Sequence, residues 1–556
     1  MPPEARSQKA SGARGLESPE ARSRKPDMSF DIIIVGAGHN GLTAAAVLAK
    51  AGLRTVVLEA SDRIGGAALS GEIVPGFTCS TLAHRANIDP AIAASLDLER
   101  HGLRVIRPEA LVTSPTRDGR ALTLWREPQR AAASLAAFSE RDAAAFPAFL
   151  ESVRAVSAVL KPLMASPVPD IDRPSAGDLV SLVRATAAFR SLARTDAYRL
   201  LRWISMPVAD FVTEWFESEP LRATVAASGV LGGFAGPRSA GTTAALLWLG
   251  AGADQPLVPG WMAMGGVGAV SAALVSAARA AGAEIRANAR VLRVLVKDDR
   301  AAGVALESGE ELRASSVMST ADPRTTMLTL VDPVHLPPER ARRIRNIRMR
   351  GTLAKINYAV SCLPAFAGVQ ADDESARRTR LGGVVRLAEN VDAIERAFDA
   401  AKYGRISEVP WIELAVPSLG DPSLAPPGAH VVSAYVQYVP ASPAAVSQDG
   451  DRGRLADVAT ETIEAYAPGF GASVLARQVI TPLDLQATYG LTGGHIFQGE
   501  LALDQLLVGR PTLGWGRHET PIRGLFLGGA GTHPGAGLDG RSGWQAAKAV
   551  LRATRK

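Results

Sequence analysis

The stretch FDIIIVGAGHNGLTAAAVLAKAGLRTVVLEAS, residues 30–61, constrains the fold more than any other part of the chain. DIIIV is a continuous apolar run of strand length, a glycine-rich turn follows at once, and LTAAAVLAKAG is rich in the best helix former. A second apolar run, TVVLE, ends on an acid. Strand, glycine turn, helix and strand in this order predict a Rossmann-like α/β unit that holds a dinucleotide. Gly36 allows the tight turn, Gly38 lets the backbone approach a pyrophosphate, and Gly41 lets the helix pack on the strand, with Ala37, His39 and Asn40 completing the loop. The helix start adds N–H groups and the positive end of its dipole. Glu59, followed by Ala60, is placed to accept both ribose hydroxyls of an adenosine, and it would repel a 2′-phosphate.

A chain of 556 residues is long enough for two or three domains, and 47% apolar with 21% charged residues supplies ample core. A net charge of +6 over this length is no nucleic-acid signature. The two cysteines, Cys79 and Cys362, form no CxxC pair and are expected as reduced, buried thiols. The eight histidines show no HxxH or HExxH spacing, so no metal site is expected. Residues 1–28 lack an apolar run, repeat the pentapeptide PEARS at 3–7 and 19–23, and read as a disordered extension. The acids Glu4, Glu17, Glu20 and Asp27 argue against a transit peptide, and no apolar segment of a secretory signal is present there. No stretch reaches the ~18 consecutive apolar residues of a membrane span, so a cytoplasmic protein is expected, with peripheral membrane contact left open.

FAD and NAD both suit the first unit, and the residues after Glu59 separate them. EASDRIGGAALS carries Arg63 and the pair Gly65-Gly66. It resembles the flavoprotein group that joins amine oxidases with phytoene desaturases, whose FAD motif runs on from the acid to Arg-x-Gly-Gly. The Arg usual in that group after the glycine pair is Ala67 here. PGWMAMGGVGAVSAALVSAARAAGAEIRANARVLRVLV, residues 259–296, is similar to the desaturase element that precedes the adenine-contacting strand, which implies that the Val291 backbone meets the adenine edge. GLFLGGAGTHPGAGLDGRSGWQAAKAVLRAT, residues 524–554, is similar to the carotenoid desaturase signature and implies that Gly529, Ala530 and Leu538 contact the cofactor. Together the three segments imply FAD. GAGHNGL and GGHIFQGELALDQLLVGRP resemble more narrowly the branch that includes the pyridine nucleotide-disulfide oxidoreductase domain-containing protein 2, over about Ser29 to Arg552. No second strand–GxGxxG–helix unit is present to seat a pyridine nucleotide, because GGVG at 265–268 has neither the spacing nor a preceding strand.

The FAD segments lie at 29–90, 255–322 and 515–556, so the FAD-binding domain is expected to be discontinuous. Residues 91–254 and 323–514 then form an inserted α+β substrate domain. Within it 126–250 reads as a helical lid, and 351–440 as an antiparallel sheet under the substrate. Two catalytic candidates follow. The stretch GTLAKINY resembles the strand on which amine oxidases hold a flavin-facing lysine, which points to Lys355, against the plainer reading of a strand-end lysine in solvent. His495, in GGHIFQGEL, is a candidate base or substrate contact, against a structural role. The arginines between Arg340 and Arg350, interleaved with Ile344 and Ile347, read as a solvated face.

Three functions suit this chain. The first is an FAD-dependent dehydrogenase, desaturase or isomerase of a lipophilic, isoprenoid-like small molecule, with oxygen or a quinone as electron acceptor. The second is an oxygen-using oxidase of a small amine or polar compound, with Tyr489, Trp515 and Trp544 as candidate pocket walls. The third is a protein that holds FAD as a structural element and acts by binding partners.

Overall fold

The computed structural model describes residues 30–169, 176–251, 253, 255–369, 373–441, 449–535 and 537–555; the expected N-terminal extension lies outside them. The strand Phe30–Val35 sits inside a sheet covered on both faces. Ile32 and Ile34 join one buried cluster with Val57 and Met318, while Ile33 and Val35 join another with Val56, Leu58 and Val317. A strand buried on both sides must be apolar at every position, which is why DIIIV shows no alternation. Its parallel neighbours are Thr55–Leu58 on one side and the end of Glu311–Ser319 on the other. Glu284–Arg286 and Leu525–Leu527 extend the parallel sheet outward. Val291–Lys297 and Arg300–Leu306 form an antiparallel pair joined to the start of Glu311–Ser319. The helix His39–Lys50 packs against Val267–Ala280 and Arg541–Thr554, so pieces distant in sequence close over the first turn.

A second sheet runs in the order Val474–Ile480, Leu353–Val360, His430–Gln437, Trp411–Ala415, Val384–Leu387, Ala110–Pro115, Ala121–Trp125. It is antiparallel except where Val384–Leu387 meets Ala110–Pro115. The sheet therefore extends beyond 351–440 and draws strands from both sides of the second FAD segment. One face packs through Ile356, Tyr358 and Val432 onto Leu455, Ala459 and Ile463 of the helix Asp449–Glu464. The other meets Phe77, Cys79 and Leu82 at one end and, through Val112, Leu124, Val384 and Ala415, the helical region at the other.

Between Pro128 and Ala251 the described residues are mainly helical, held by an aromatic core of Phe146, Phe149, Trp203, Phe211 and Phe216. The helix Glu140–Ala165 is the most apolar long helix among the described residues. It is 26 residues long with a mean hydropathy of 1.4 over its most apolar window, long and apolar enough to cross a membrane, although no run in it is uninterrupted. In this fold it buries Phe146, Phe149, Val153 and Val156 against its helical neighbours. The thiols also part company. Cys79 is buried, whereas Cys362 is exposed because it lies in the turn after the strand Leu353–Val360.

Candidate active site

The glycine turn after Phe30–Val35 is built by close backbone approach. Gly36 has φ 96°, and a Cβ on Gly41 would stand 2.1 Å from the Gly36 carbonyl oxygen, so the helix can begin there only on glycine. Thr320 donates to the carbonyls of Val35 and Gly36 at 3.0 and 3.1 Å and fixes the turn from the neighbouring strand. Gly38 differs: a Cβ there would meet nothing within 4 Å, because the residue borders a cavity of about 870 Å³.

That cavity suits FAD. Gly36, Gly38, His39, Asn40, Glu59, Ala60, Arg63, Gly66, Ala67, Val291, Ala530 and Leu538 all line it. Ala37, Gly41, Gly65 and Gly529 stand just behind, where they shape the backbone. Gly65 bridges to Gly38, and a Cβ on Gly529 would lie 2.4 Å from the Thr320 carbonyl. The Glu59 carboxylate accepts from the Ala37 N–H at 2.8 Å and the Ser61 N–H at 3.0 Å, which fixes it at the cavity wall where a ribose would lie. His39 Nε2 is buried without a partner among the described residues, and burial lowers the pKa of this imidazole to about 4. An orphaned ring nitrogen at a helix start, beside a backbone turn open to the cavity, is what a pyrophosphate would satisfy.

The other end of the cavity is built from one rung of the second sheet. Register places Lys355 beside Tyr435, Tyr435 beside Glu413, and Glu413 beside Arg386 on four adjacent strands. Their flanking residues face the apolar core behind, so alternation turns all four to the opposite side. Glu413 is fully buried. Arg386 Nε donates to it at 2.8 Å, Arg85 Nη2 donates at 3.1 Å, and His84 Nε2 stands 3.5 Å away. Burial alone would raise the Glu413 pKa, but the two guanidiniums outweigh it and hold the carboxyl well below the usual range. Arg386 Nη1 is spent on the Ser228 hydroxyl at 2.8 Å and the Thr224 carbonyl at 2.5 Å. Of this group His84, Arg85, Arg386 and Tyr435 line the cavity.

Lys355 is completely buried and does not line the cavity; it touches residues that do. Its Nζ lies 2.9 Å from His84 Nδ1, donates to Ser433 Oγ, and stands 4.6 Å from the Tyr435 ring centroid. Burial lowers its pKa to about 7. The solvent reading of this lysine is therefore excluded. His84 stacks on Tyr435 with 3.9 Å between ring centroids, and burial, reinforced by Lys355, lowers its pKa to about 3 and keeps it neutral. His495 is buried, and its Nδ1 accepts the Phe497 N–H at 3.2 Å. Burial, with Arg510 nearby, lowers its pKa to about 3, and the cavity wall is formed by the following Ile496, Phe497 and Gln498. Tyr489 lines the cavity; Trp515 and Trp544 pack in the apolar clusters around the parallel sheet. The helix Pro338–Arg345 buries Ala341 and Ile344 and exposes Arg340, Arg342, Arg343 and Arg345, a solvated face.

No sequence motif marks His84, Arg85, Arg386, Glu413 or Tyr435. Charges inside the apolar runs VVRLA and WIELA were the available signal, since a charge in a fully buried strand needs a partner. Nor does a motif mark Arg510, whose guanidinium donates to the Phe497 and Ala530 carbonyls at 2.7 Å each and ties the loop after His495 to the cofactor loop.

Comparison with known proteins agrees with this geometry. Residues 41–551 match the family described as flavin containing amine oxidoreductase. The chain belongs to that family. Its members bind FAD as the fold here requires, and this flavoprotein is an FAD-dependent oxidoreductase of the amine oxidase and desaturase type. It is 36% identical to the pyridine nucleotide-disulfide oxidoreductase domain-containing protein 2 of Rattus norvegicus, over 98% of this chain and 95% of that protein. It is 27% identical to a phytoene desaturase (lycopene-forming) of Pseudescherichia vulneris, over 91% and 96% of the two chains. A solved structure of a redesigned putrescine oxidase superposes with a TM-score of 0.62 at 15% identity, covering 95% of this chain and 99% of that one, a likeness of fold.

Glu59→Ala is expected to weaken FAD binding ten- to a hundredfold, about 1.5–3 kcal/mol for a charge-assisted ribose contact. FAD release on dilution, followed by flavin fluorescence, measures it. An unchanged dissociation constant would remove Glu59 from the ribose site.

Proposed function

We propose that this enzyme dehydrogenates or isomerises a lipophilic, isoprenoid-like molecule, with oxygen or a quinone as the final electron acceptor in the dehydrogenation. The observation that carries this reading is the cavity wall beyond the nucleotide turn. Leu82, Leu231, Leu249, Leu491, Ile496 and Phe497 form it, while the acids on the lining, Glu59 and Asp62, belong to the nucleotide end. An ammonium substrate would meet Arg85 and Arg386 there, at a cost of about 4 kcal/mol for like charges 4 Å apart at an effective dielectric near 20. Glu413 offers it no counter-charge, being shared already by both guanidiniums. The kinship with a phytoene desaturase supports the same reading.

Bound FAD supplies the two-electron acceptor for a hydride. The protein's own part is to enclose the carbon chain among apolar walls, exclude water, and receive the proton lost from the neighbouring carbon. Lys355, with a pKa of about 7, can carry that proton at neutral pH, and His84 links its Nζ to the cavity. In this scheme the substrate loses a hydride and a proton and gains a double bond; oxygen or quinone then takes up two electrons and two protons.

The test is anaerobic incubation of the holoprotein with acyclic isoprenoids and with mono- and polyamines, watching the visible flavin absorbance. Bleaching by isoprenoids and not by amines is expected. Rapid, saturable bleaching by an amine alone would overturn the reading.

A further inference from the structure

The apolar wall does not run unbroken to the end of the cavity, since Arg85 and Arg386 interrupt it. Their charge is not balanced. One carboxylate, Glu413, serves both guanidiniums, His84 is neutral, and the Cys79 thiol is kept protonated by burial. The cluster carries one excess positive charge before any contribution from Lys355. Arg85 Nε and Nη1 and Arg386 Nη2 donate to no atom among the described residues. The Arg386 side chain is 3% exposed and that of Arg85 12% exposed, so bulk water screens the excess poorly. A burial of this kind is costly unless a counter-ion completes it.

The geometry points to a substrate that carries a carboxylate, held by Arg85 and Arg386, with its hydrocarbon chain along Leu82, Leu231, Leu249, Ile496 and Phe497. This rests on the proposed lipophilic substrate and adds its head group. A monoanion matches a single excess charge, whereas a diphosphate would bring more negative charge than the cluster neutralises. The planar guanidinium fork also suits the two oxygens of a carboxylate.

Calorimetric titration of the oxidised holoprotein with geranic acid, geraniol and geranylamine at pH 7.5 separates the head groups on one chain. Geranic acid is expected to bind at least tenfold more tightly than either. In Arg85→Met that preference should fall to about twofold or less, and Arg85→Lys should restore part of it. Binding of the alcohol or the amine as tightly as the acid would overturn the inference, and so would a preference that survives intact in Arg85→Met. If Arg85→Met does not fold, the wild-type comparison and Arg85→Lys still decide. A second series, 3-methylcrotonic, geranic and farnesoic acids, varies chain length at constant head group. Affinity that does not rise with length would sink the lipophilic reading, while the head-group series judges the carboxylate site separately.

Discussion

Glu413→Gln is expected to lower the unfolding free energy by about 3–5 kcal/mol, the usual cost of leaving a buried charge without its partner. The carboxylate is fully buried and sits between Arg386 and Arg85, so removing its charge strands one guanidinium that has almost no access to water. Gln keeps the shape but only one of the two acceptor oxygens, so its amide NH2 faces a guanidinium and a hydrogen bond is lost along with the charge. The double variant Glu413→Leu, Arg386→Met removes both ends of the more buried pair and should recover most of the loss, because a buried ion pair seldom outperforms well-packed apolar residues. Arg85, at 12% side-chain exposure, can then turn toward the cavity. Urea unfolding of the three proteins at equal FAD saturation measures both effects. A cost below about 1 kcal/mol for Glu413→Gln would mean that Arg386 is neutralised by something other than this carboxylate.

The nucleotide half of the site was legible in the sequence because its determinants are local. Gly36, Gly38 and Gly41 act within one turn, and Glu59 ends the next strand, so order and spacing suffice. Even the distant pieces of the cradle, Val291 and Ala530, carry glycine-rich turns of their own. The substrate half is a tertiary construction. Arg386, Glu413, Tyr435 and Lys355 become neighbours only through strand register, and nothing local in four apolar strands specifies which rung pairs with which. The same reason explains the sheet. Ala110–Pro115 pairs with Val384–Leu387 across nearly half the chain, a parallel contact that no turn signal announces. His495 shows the converse: its distinctive loop marks it in the sequence, but only the fold shows that its Nδ1 accepts a backbone N–H two residues on while its Nε2 meets no partner among the described residues.

Lys355→Met is expected to stabilise the protein at neutral pH, and the gain should shrink as pH rises. An unfolded lysine titrates near 10.4, at about the reference value, whereas burial brings Lys355 in the folded protein down to about 7. The sign follows from proton counting. Between those two values the unfolded chain binds one proton more than the folded one, so raising the pH stabilises the wild type by about 1.4 kcal/mol per unit. Below pH 7 both states are protonated, and the penalty is present in full, on the order of 4–5 kcal/mol. Met keeps the apolar stem and removes the penalty, but it abandons His84 Nδ1 and Ser433 Oγ, two hydrogen-bond partners worth about 1 kcal/mol each. The variant should therefore be the more stable protein by about 2 kcal/mol at pH 7 and lose that lead near pH 9. Denaturant unfolding of both proteins between pH 7 and 9 tests the slope rather than the absolute value, which separates titration of this lysine from any constant packing effect. Parallel stability curves would show that Lys355 keeps its proton in the folded state throughout. It would then be a fixed cation beside His84, and the proton released during dehydrogenation would have to leave by another route.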